Sequence, residues 1–421
     1  MKKFIDRRNF ILIGIILSLI LSGSIWRSID LSDRASVYTR NYEFEYFGWT
    51  VNALLQKVHS SSLGVNPHLD ESQKRTILRD FFKLQNEIND LSQVIETALA
   101  DPENNHSQEK ISSLLNNLSI KEKQYKQLAV LSEGIVQDYV NRAITDLGIT
   151  PSSQPLPPVL YHVTDLPKNL IISPRNIIRQ EKSISLRSNL TPLEIANLEE
   201  KVESITDYSA LVVNVGGVST YPAMVLKTAS LPFLFETVAH EWIHHYLFFH
   251  PLGFNYTKSP ELRTMNETTA SIAGKEISDY IIWRFFSDLM QHQQPYETIN
   301  VQFSSQMQKP VESFDFQKEM YLTRQRVDSM LAQNKIEEAE SYMEDRRLYF
   351  WENGYHIRKL NQAYFAFHGA YADKPFSAAG ADPVGEDVRL LRAKSLDLAE
   401  FLKTIRRLSS YASLRDLVGS F

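Results

Sequence analysis

Leu231-Pro-Phe-Leu-Phe-Glu-Thr-Val-Ala-His-Glu-Trp-Ile-His-His-Tyr-Leu-Phe-Phe249 is the stretch on which the reading of this chain turns. Phe235, Val238, Ala239, Trp242 and Ile243 recur at helical spacing, which predicts a largely buried helix. Positions i and i+4 stand one above the other on a helix, so His240 and His244 can face a single metal ion. Glu241 is carried beside them, placed to take a proton from a water on that metal. The alternative is a pair of core histidines satisfied by ordinary hydrogen bonds. Two imidazoles and a carboxylate on so apolar a helix are costly to bury without a partner, and a metal ion supplies one.

His-Glu-x-x-His on a helix is the arrangement of zinc peptidases. A catalytic zinc takes three protein ligands and keeps its fourth position for water. Two residues are candidates for the third ligand, Glu267 and His250. Around the first the chain reads Met265-Asn-Glu-Thr-Thr-Ala270, and here it resembles the gluzincins, the thermolysin-like group of zinc peptidases. Their third ligand is a Glu on a second helix, often in an Asn-Glu-x-x-Ala setting, and Asn266, Glu267 and Ala270 carry the match. The resemblance implies Zn2+ held by His240, His244 and Glu267, with Glu241 as general base. His250 falls where the metzincins place their third His, but that family has a Gly midway and this chain has Leu247. On a continuing helix a residue six positions after His244 rises about 9 Å and points elsewhere. Glu267 is therefore favoured. The thermolysin pattern also has an Asp one turn after the ligand Glu, where this chain has Ser271, so the group that orients the imidazoles is left open. The Gly-x-Met-Glu-Asn signature of the aminopeptidase branch is absent.

The chain has 421 residues, enough for two or three domains with a proper core, and a net charge of -5. No Lys/Arg-rich run points to nucleic acid. It has no cysteine, which excludes disulfides, thiolate zinc sites and cysteine nucleophiles, and suits an extracytoplasmic protein. Met1 to Arg8 form a basic tail, and Asn9 to Trp26 carry no charge and are dominated by Ile and Leu. That is long enough to cross a bilayer. Lys2, Lys3, Arg7 and Arg8 place the N-terminus in the cytoplasm and the rest outside. A cleaved signal peptide is the rival, with Ser22-Gly-Ser24 as a poor cleavage site.

Residues 27–150 read as a helical, coiled-coil-like hairpin. Ile77, Phe81, Leu84, Ile88, Leu91, Ile95 and Ala98 alternate spacings of four and three. After the break at Ala100 to Asn105, the positions Ile111, Leu115, Leu118, Tyr125, Val136 and Tyr139 continue in similar fashion. Such a hairpin is a spacer, an arm for a protein partner, or a support packed on the catalytic part. Pro151-Ser-Ser-Gln-Pro-Leu-Pro-Pro158 is a linker by composition and opens a catalytic domain over 151–310. Its expected strands are Val159 to Val163, Leu170 to Ile172, Ser183 to Ser188, Tyr208 to Val215 and Val218 to Leu226, with a Thr191-capped helix to Ser204. Pro222 marks the last strand as an edge, and the backbone from Ser219 to Val225 is the expected peptide-binding edge.

A C-terminal helical subdomain is expected over 311–421, ending in one amphipathic helix from Leu390 to Leu408. Tyr364, His368 and Tyr371 recur on one helical face and are candidates to bind a developing oxyanion, against the alternative of an aromatic core helix. The expected fold is α+β and predominantly helical: a zincin-like domain with a small mixed sheet, behind a membrane anchor and a helical hairpin. The expected activity is that of a single-pass, extracytoplasmic zinc metallopeptidase acting on peptides or proteins. Rival readings are an inactive metal-binding scaffold, a zinc hydrolase of a non-peptide amide, and an intramembrane protease. The charges at Lys275, Glu276, Asp279 and Arg284 speak against the last.

Overall fold

The computed structural model describes residues 31–62, 69–100, 108–151, 154–205, 207–228, 230–287, 314–369 and 383–419. The basic tail, the apolar stretch 9–26 and Tyr371 lie outside the described residues. Among the described residues no helix is long and apolar enough to cross a membrane. The fold is predominantly helical α+β, with two small three-stranded sheets in place of the single mixed sheet expected.

Two short helices, α1 (Leu31–Thr39) and α2 (Tyr46–Ser62), lead into a long pair, α3 (Glu71–Ala100) and α4 (Gln108–Asp146). The ion pairs Arg142–Glu71, Lys74–Asp138 and Lys121–Glu87 run in opposite senses along α3 and α4, so the two are antiparallel. Phe81 and Tyr125 stack between them, with ring centroids 4.8 Å apart. Leu78 and Phe82 join the inward face, while Leu115 is half exposed, so the seam is broader than a strict heptad at one end and looser at the other.

The first sheet orders its strands β1 (Tyr161–Thr164), β6 (Ala223–Leu226), β5 (Gly217–Val218). β1 runs parallel to β6, with Tyr161 opposite Ala223, and β5 is antiparallel to β6, with Val218 opposite Met224. The expected strand from Val218 to Leu226 is thus two strands. The chain turns through Ser219 to Pro222, because Pro222 cannot donate to a ladder. β6 is central and paired on both sides, so its backbone is not a free edge, and the edge positions belong to β1 and β5.

The second sheet is antiparallel and ordered β3 (Lys182–Leu186), β2 (Lys168–Pro174), β4 (Tyr208–Val213). Alternation sorts its faces. Leu170, Ile172, Ala210 and Val212 pack with Leu198 and Val202 of α5 (Pro192–Ile205). Ile171, Leu211 and Val213 pack with Ala363 and Phe367 of a short helix described below. Thr191 and Glu194 cap α5 reciprocally: the Glu194 N–H donates to Thr191 Oγ1 at 3.2 Å and the Thr191 N–H to Glu194 Oε2 at 2.8 Å.

Three helices follow β6: α6 (Leu231–Phe248), the single turn α7 (Pro251–Phe254) and α8 (Pro260–Phe285). Ser230 caps α6 by accepting from the Phe233 N–H, and Ser259 caps α8 by accepting from the Leu262 N–H. Phe235, Trp242 and Ile243 of α6 share one core with Ile277 and Ile281 of α8 and with Tyr139, Val140 and Ile144 of α4. The proline-rich segment joins it, since Trp242 Nε1 donates to the Pro157 carbonyl at 2.8 Å.

The C-terminal part begins with α9 (Phe316–Ala332) and α10 (Ile336–Glu352), joined at Asn334, whose φ of 58° lies in the left-handed region. α11 (Gln362–His368) covers the second sheet. The expected helix Leu390 to Leu408 is broken: α12 (Pro383–Lys394) ends, Asp397 caps α13 (Leu398–Ile405), and α14 (Tyr411–Gly419) follows. Both pieces are amphipathic, so the hydrophobic pattern runs through the break. Val388, Phe401 and Leu414 pack them against the core that holds α6 and α8.

Candidate metal centre

The site is made by the crossing of α6 and α8. Gly274 of α8 lies so close to α6 that a Cβ there would sit 2.9 Å from the Glu236 carbonyl oxygen and 3.1 Å from His240 Cβ. Only glycine permits that approach. Glu267 stands two helical turns before Gly274 and so on the same face of α8, turned toward α6. Ser278 Oγ, on the next turn, donates to the Pro232 carbonyl at 3.0 Å and fixes the antiparallel register.

In that register His240, His244 and Glu267 converge. The Nε2 atoms of His240 and His244 lie 3.1 Å apart, and Glu267 Oε2 is 3.6 Å from His240 Nε2 and 3.4 Å from His244 Nε2. The three offer one donor each within 4.8 Å and have the geometry to hold a metal ion. His250 is not among them. It caps α7, stacks edge-on against Tyr246, and has Nε2 3.3 Å from Arg406 Nη1.

The surroundings prepare the donors. His244 Nδ1–H donates to the side-chain oxygen of Asn266 at 2.7 Å, which directs Nε2 toward the cluster, where its lone pair is available once a metal displaces the Nε2 proton. Glu267 uses its other oxygen to accept from the Tyr256 hydroxyl, and Arg263 Nε donates to that hydroxyl at 3.3 Å. Burial raises the Tyr256 pKa, and the neighbouring Glu267 charge raises it further, so the phenol stays a donor. Burial would also raise Glu267, but the imidazoles of His244 and His240 hold it well below the usual carboxylate range. Two ring nitrogens and a carboxylate, largely buried and facing one another, call for positive charge among them, which a proton or a metal ion supplies.

Glu241 points toward β5 and lies close enough to the cluster to feel the charges of His240, His244 and Glu267. A Cβ on Gly217 would lie 2.2 Å from Glu241 Oε1, so the carboxylate occupies the space a side chain would fill. Burial raises the Glu241 pKa; the two imidazoles oppose this and Glu267 adds to it. A buried carboxylate with a raised pKa is a better proton acceptor than a solvated one. The turn after β5 is clipped to α6: His245 Nε2 donates to the Thr220 carbonyl at 2.7 Å, and Ser219 Oγ to the Glu241 carbonyl at 3.4 Å.

Tyr364 and His368 lie against each other on α11 with ring centroids 4.3 Å apart and planes tilted by 46°, and Tyr364 packs on the second sheet beside Val215. His368 is not among the three grouped donors. Asn266, Tyr256 and Arg263 were not singled out for roles by the sequence. Asn266 drew notice only as part of a family pattern, and Tyr256 sits in a short non-periodic segment between helices. No protein-family model, curated protein or solved structure matches this chain.

Asn266→Ala removes the acceptor that orients His244. The expected result is metal affinity about 10–100-fold weaker, with Asn266→Asp restoring it, read by titration against a competing chelator. Unchanged affinity in Asn266→Ala would deny Asn266 that role.

Proposed function

We propose that this chain is a membrane-anchored zinc metallopeptidase, with His240, His244 and Glu267 as ligands and Glu241 as general base. The observation that carries the reading is the spacing of the donors. Tetrahedral zinc with bonds of about 2.0–2.1 Å needs donors about 3.3–3.4 Å apart. The separations of 3.1, 3.4 and 3.6 Å bracket that value. Two nitrogens and one oxygen are a donor set that catalytic zinc sites use, and the resemblance to gluzincins around Asn266 and Glu267 points the same way.

Zinc, when bound, polarises the scissile carbonyl and lowers the pKa of a water toward neutrality. Glu241 receives that water's proton and later returns it to the leaving amine. The edge strand β5 passes beside Glu241, and its backbone offers an extended peptide a strand to pair with. Gly217 leaves room for both the carboxylate and the substrate. Asn266 and Tyr256 keep the donors aimed. The apolar stretch 9–26 anchors the chain, with the basic tail inside and the peptidase outside.

The test uses the full chain in detergent, loaded with one equivalent of zinc and offered a mixed-sequence peptide library and a panel of non-peptide amides. Cleavage of peptide bonds, lost with chelator and regained with zinc, is the expected result. Zinc bound with no cleavage of either class would leave a metal-binding scaffold. Cleavage of the amides alone would move the substrate class.

A further inference from the structure

The helix α2 is amphipathic in the wrong sense for a solvated surface. Its inward face is tied down by polar groups. Tyr46 Oη donates to Ser185 Oγ at 2.8 Å, and Trp49 Nε1 to Thr164 Oγ1 at 3.4 Å. Lys57 donates to Glu133, which is 4% exposed and whose other oxygen accepts from the Val163 N–H at 2.8 Å. Ala53, between these, is 2% exposed.

The outward face is the apolar one. Phe47, Val51, Leu54 and Leu55 stand at i, i+4, i+7 and i+8, which is one side of a helix. They are 79%, 41%, 38% and 63% exposed. From Tyr46 to Lys57 the single charged residue is Lys57, and it points inward. Folding alone would favour the opposite arrangement, so the outer face is shaped by something that covers it.

We propose that this face of α2 lies in the interface of the lipid bilayer, close to where the stretch 9–26 enters it. The proposal rests on the reading of 9–26 as a membrane anchor. That stretch ends at Trp26, four residues before α1 begins at Leu31, and α2 follows α1 after six more residues, so both lie early in the chain that leaves the bilayer surface. A helix that lies in the interface plane presents an apolar face to the acyl boundary, and α2 offers one. No Lys or Arg lies on that face, so the contact is apolar and does not need anionic lipid. A second protein chain fits less well. One helix face four side chains long is small against the roughly 800 Å² per partner of a stable protein contact.

The absence of cysteine makes the test direct, because one introduced thiol can be labelled uniquely. The full chain is reconstituted in phosphatidylcholine vesicles in four versions: Leu17→Cys, Val51→Cys, Leu55→Cys and Leu193→Cys. Each carries an environment-sensitive fluorophore. Leu193 is 71% exposed on α5 and serves as the control for an exposed apolar position away from α2. Brominated acyl chains should quench the labels at 17, 51 and 55 severalfold more strongly than the label at 193. If 17 is quenched by lipid but 51 and 55 only by aqueous iodide, the anchor stands and the proposal falls. If 17 is not quenched by lipid, the anchor reading falls and takes the proposal with it. If 51 and 55 are shielded from both quenchers, and more so as protein per vesicle rises, a protein covers the face and the proposal is overturned.

Discussion

Glu241→Gln is expected to lower peptide hydrolysis by about 10²–10⁴-fold while leaving bound zinc and thermal stability unchanged. Gln keeps the size of the side chain, so the packing between α6 and β5 survives. It has no basic oxygen able to take a proton, so the proposed first step loses its acceptor. Glu241 is not one of the three grouped donors, which is why metal content should not follow activity down. The measurement is kcat/KM on a cleaved library peptide, paired with metal analysis of the same preparation. Wild-type turnover in Glu241→Gln would remove Glu241 from the mechanism.

Gly217 reaches the same carboxylate from the opposite strand. A methyl there would lie 2.2 Å from Glu241 Oε1 and 2.9 Å from Cδ, so the carboxylate must swing away. Gly217→Ala is expected to cost about 10²-fold in kcat, the scale of a displacement near 1 Å at a reacting group, again with zinc retained. Gly216→Ala is the control, because its Cβ would meet only the Phe233 ring, at 3.3 Å. Equal effects of the two substitutions would make the loss one of strand geometry and not of Glu241 position.

The parts of this molecule that could be read from sequence are those fixed by neighbours along the chain. His240 and His244 face one way because four residues make about one turn. Thr191 announces the start of α5, which it caps together with Glu194. What escaped is set across the chain. Glu267 is legible as a ligand through the Asn266-Glu267-x-x-Ala270 pattern around it, but the close approach at Gly274 that brings α8 onto α6 is not. Asn266 becomes the partner of His244 only once the crossing exists. Pro222 marks its strand as an edge by sequence, yet it lies in the turn before β6, and β6 is the central strand of its sheet. The break between α12 and α13 is written in the Asp397 cap, yet both flanking pieces keep an apolar face, and the periodicity hid it. The outward apolar face of α2 has the right period for burial; which side is buried is decided by Glu133, Thr164 and Ser185, far along the chain.

Removing the metal should leave a chain whose stability moves with pH in the direction opposite to metal affinity. In the metal-free chain burial would lower the pKa of His244, but Glu267 at 3.4 Å, with Glu241 and Asn266, raises it from 6.5 to about 9. Glu267 is held below its ordinary 4.5 by the imidazoles. A proton thus stands in for the cation. A raised pKa on His244 gives stability that is complete below 6.5 and is lost as pH rises through about 9. A lowered pKa on Glu267 gives stability that is present above 4.5 and is lost as pH falls through its folded value. The metal-free chain therefore holds both contributions between 4.5 and 6.5 and weakens from there toward 9. Metal must displace the His244 proton, so its apparent affinity rises across the same window by up to about tenfold per pH unit, or about 1.4 kcal/mol. The gap in Tm between zinc-loaded and chelated protein should accordingly widen from pH 6.5 toward 9 and then level. Thermal unfolding of the full chain in detergent, with and without chelator, reads this directly. Glu267→Gln should lose the metal and also flatten the chelated chain's pH dependence above 6.5, because His244 no longer holds its proton against burial. His250→Ala should change neither, since its ring nitrogen faces Arg406 outside the cluster. A constant Tm gap from 6.5 to 9 in the wild type would mean that His244 does not exchange a proton for the metal, and the ligand assignment would fall with it.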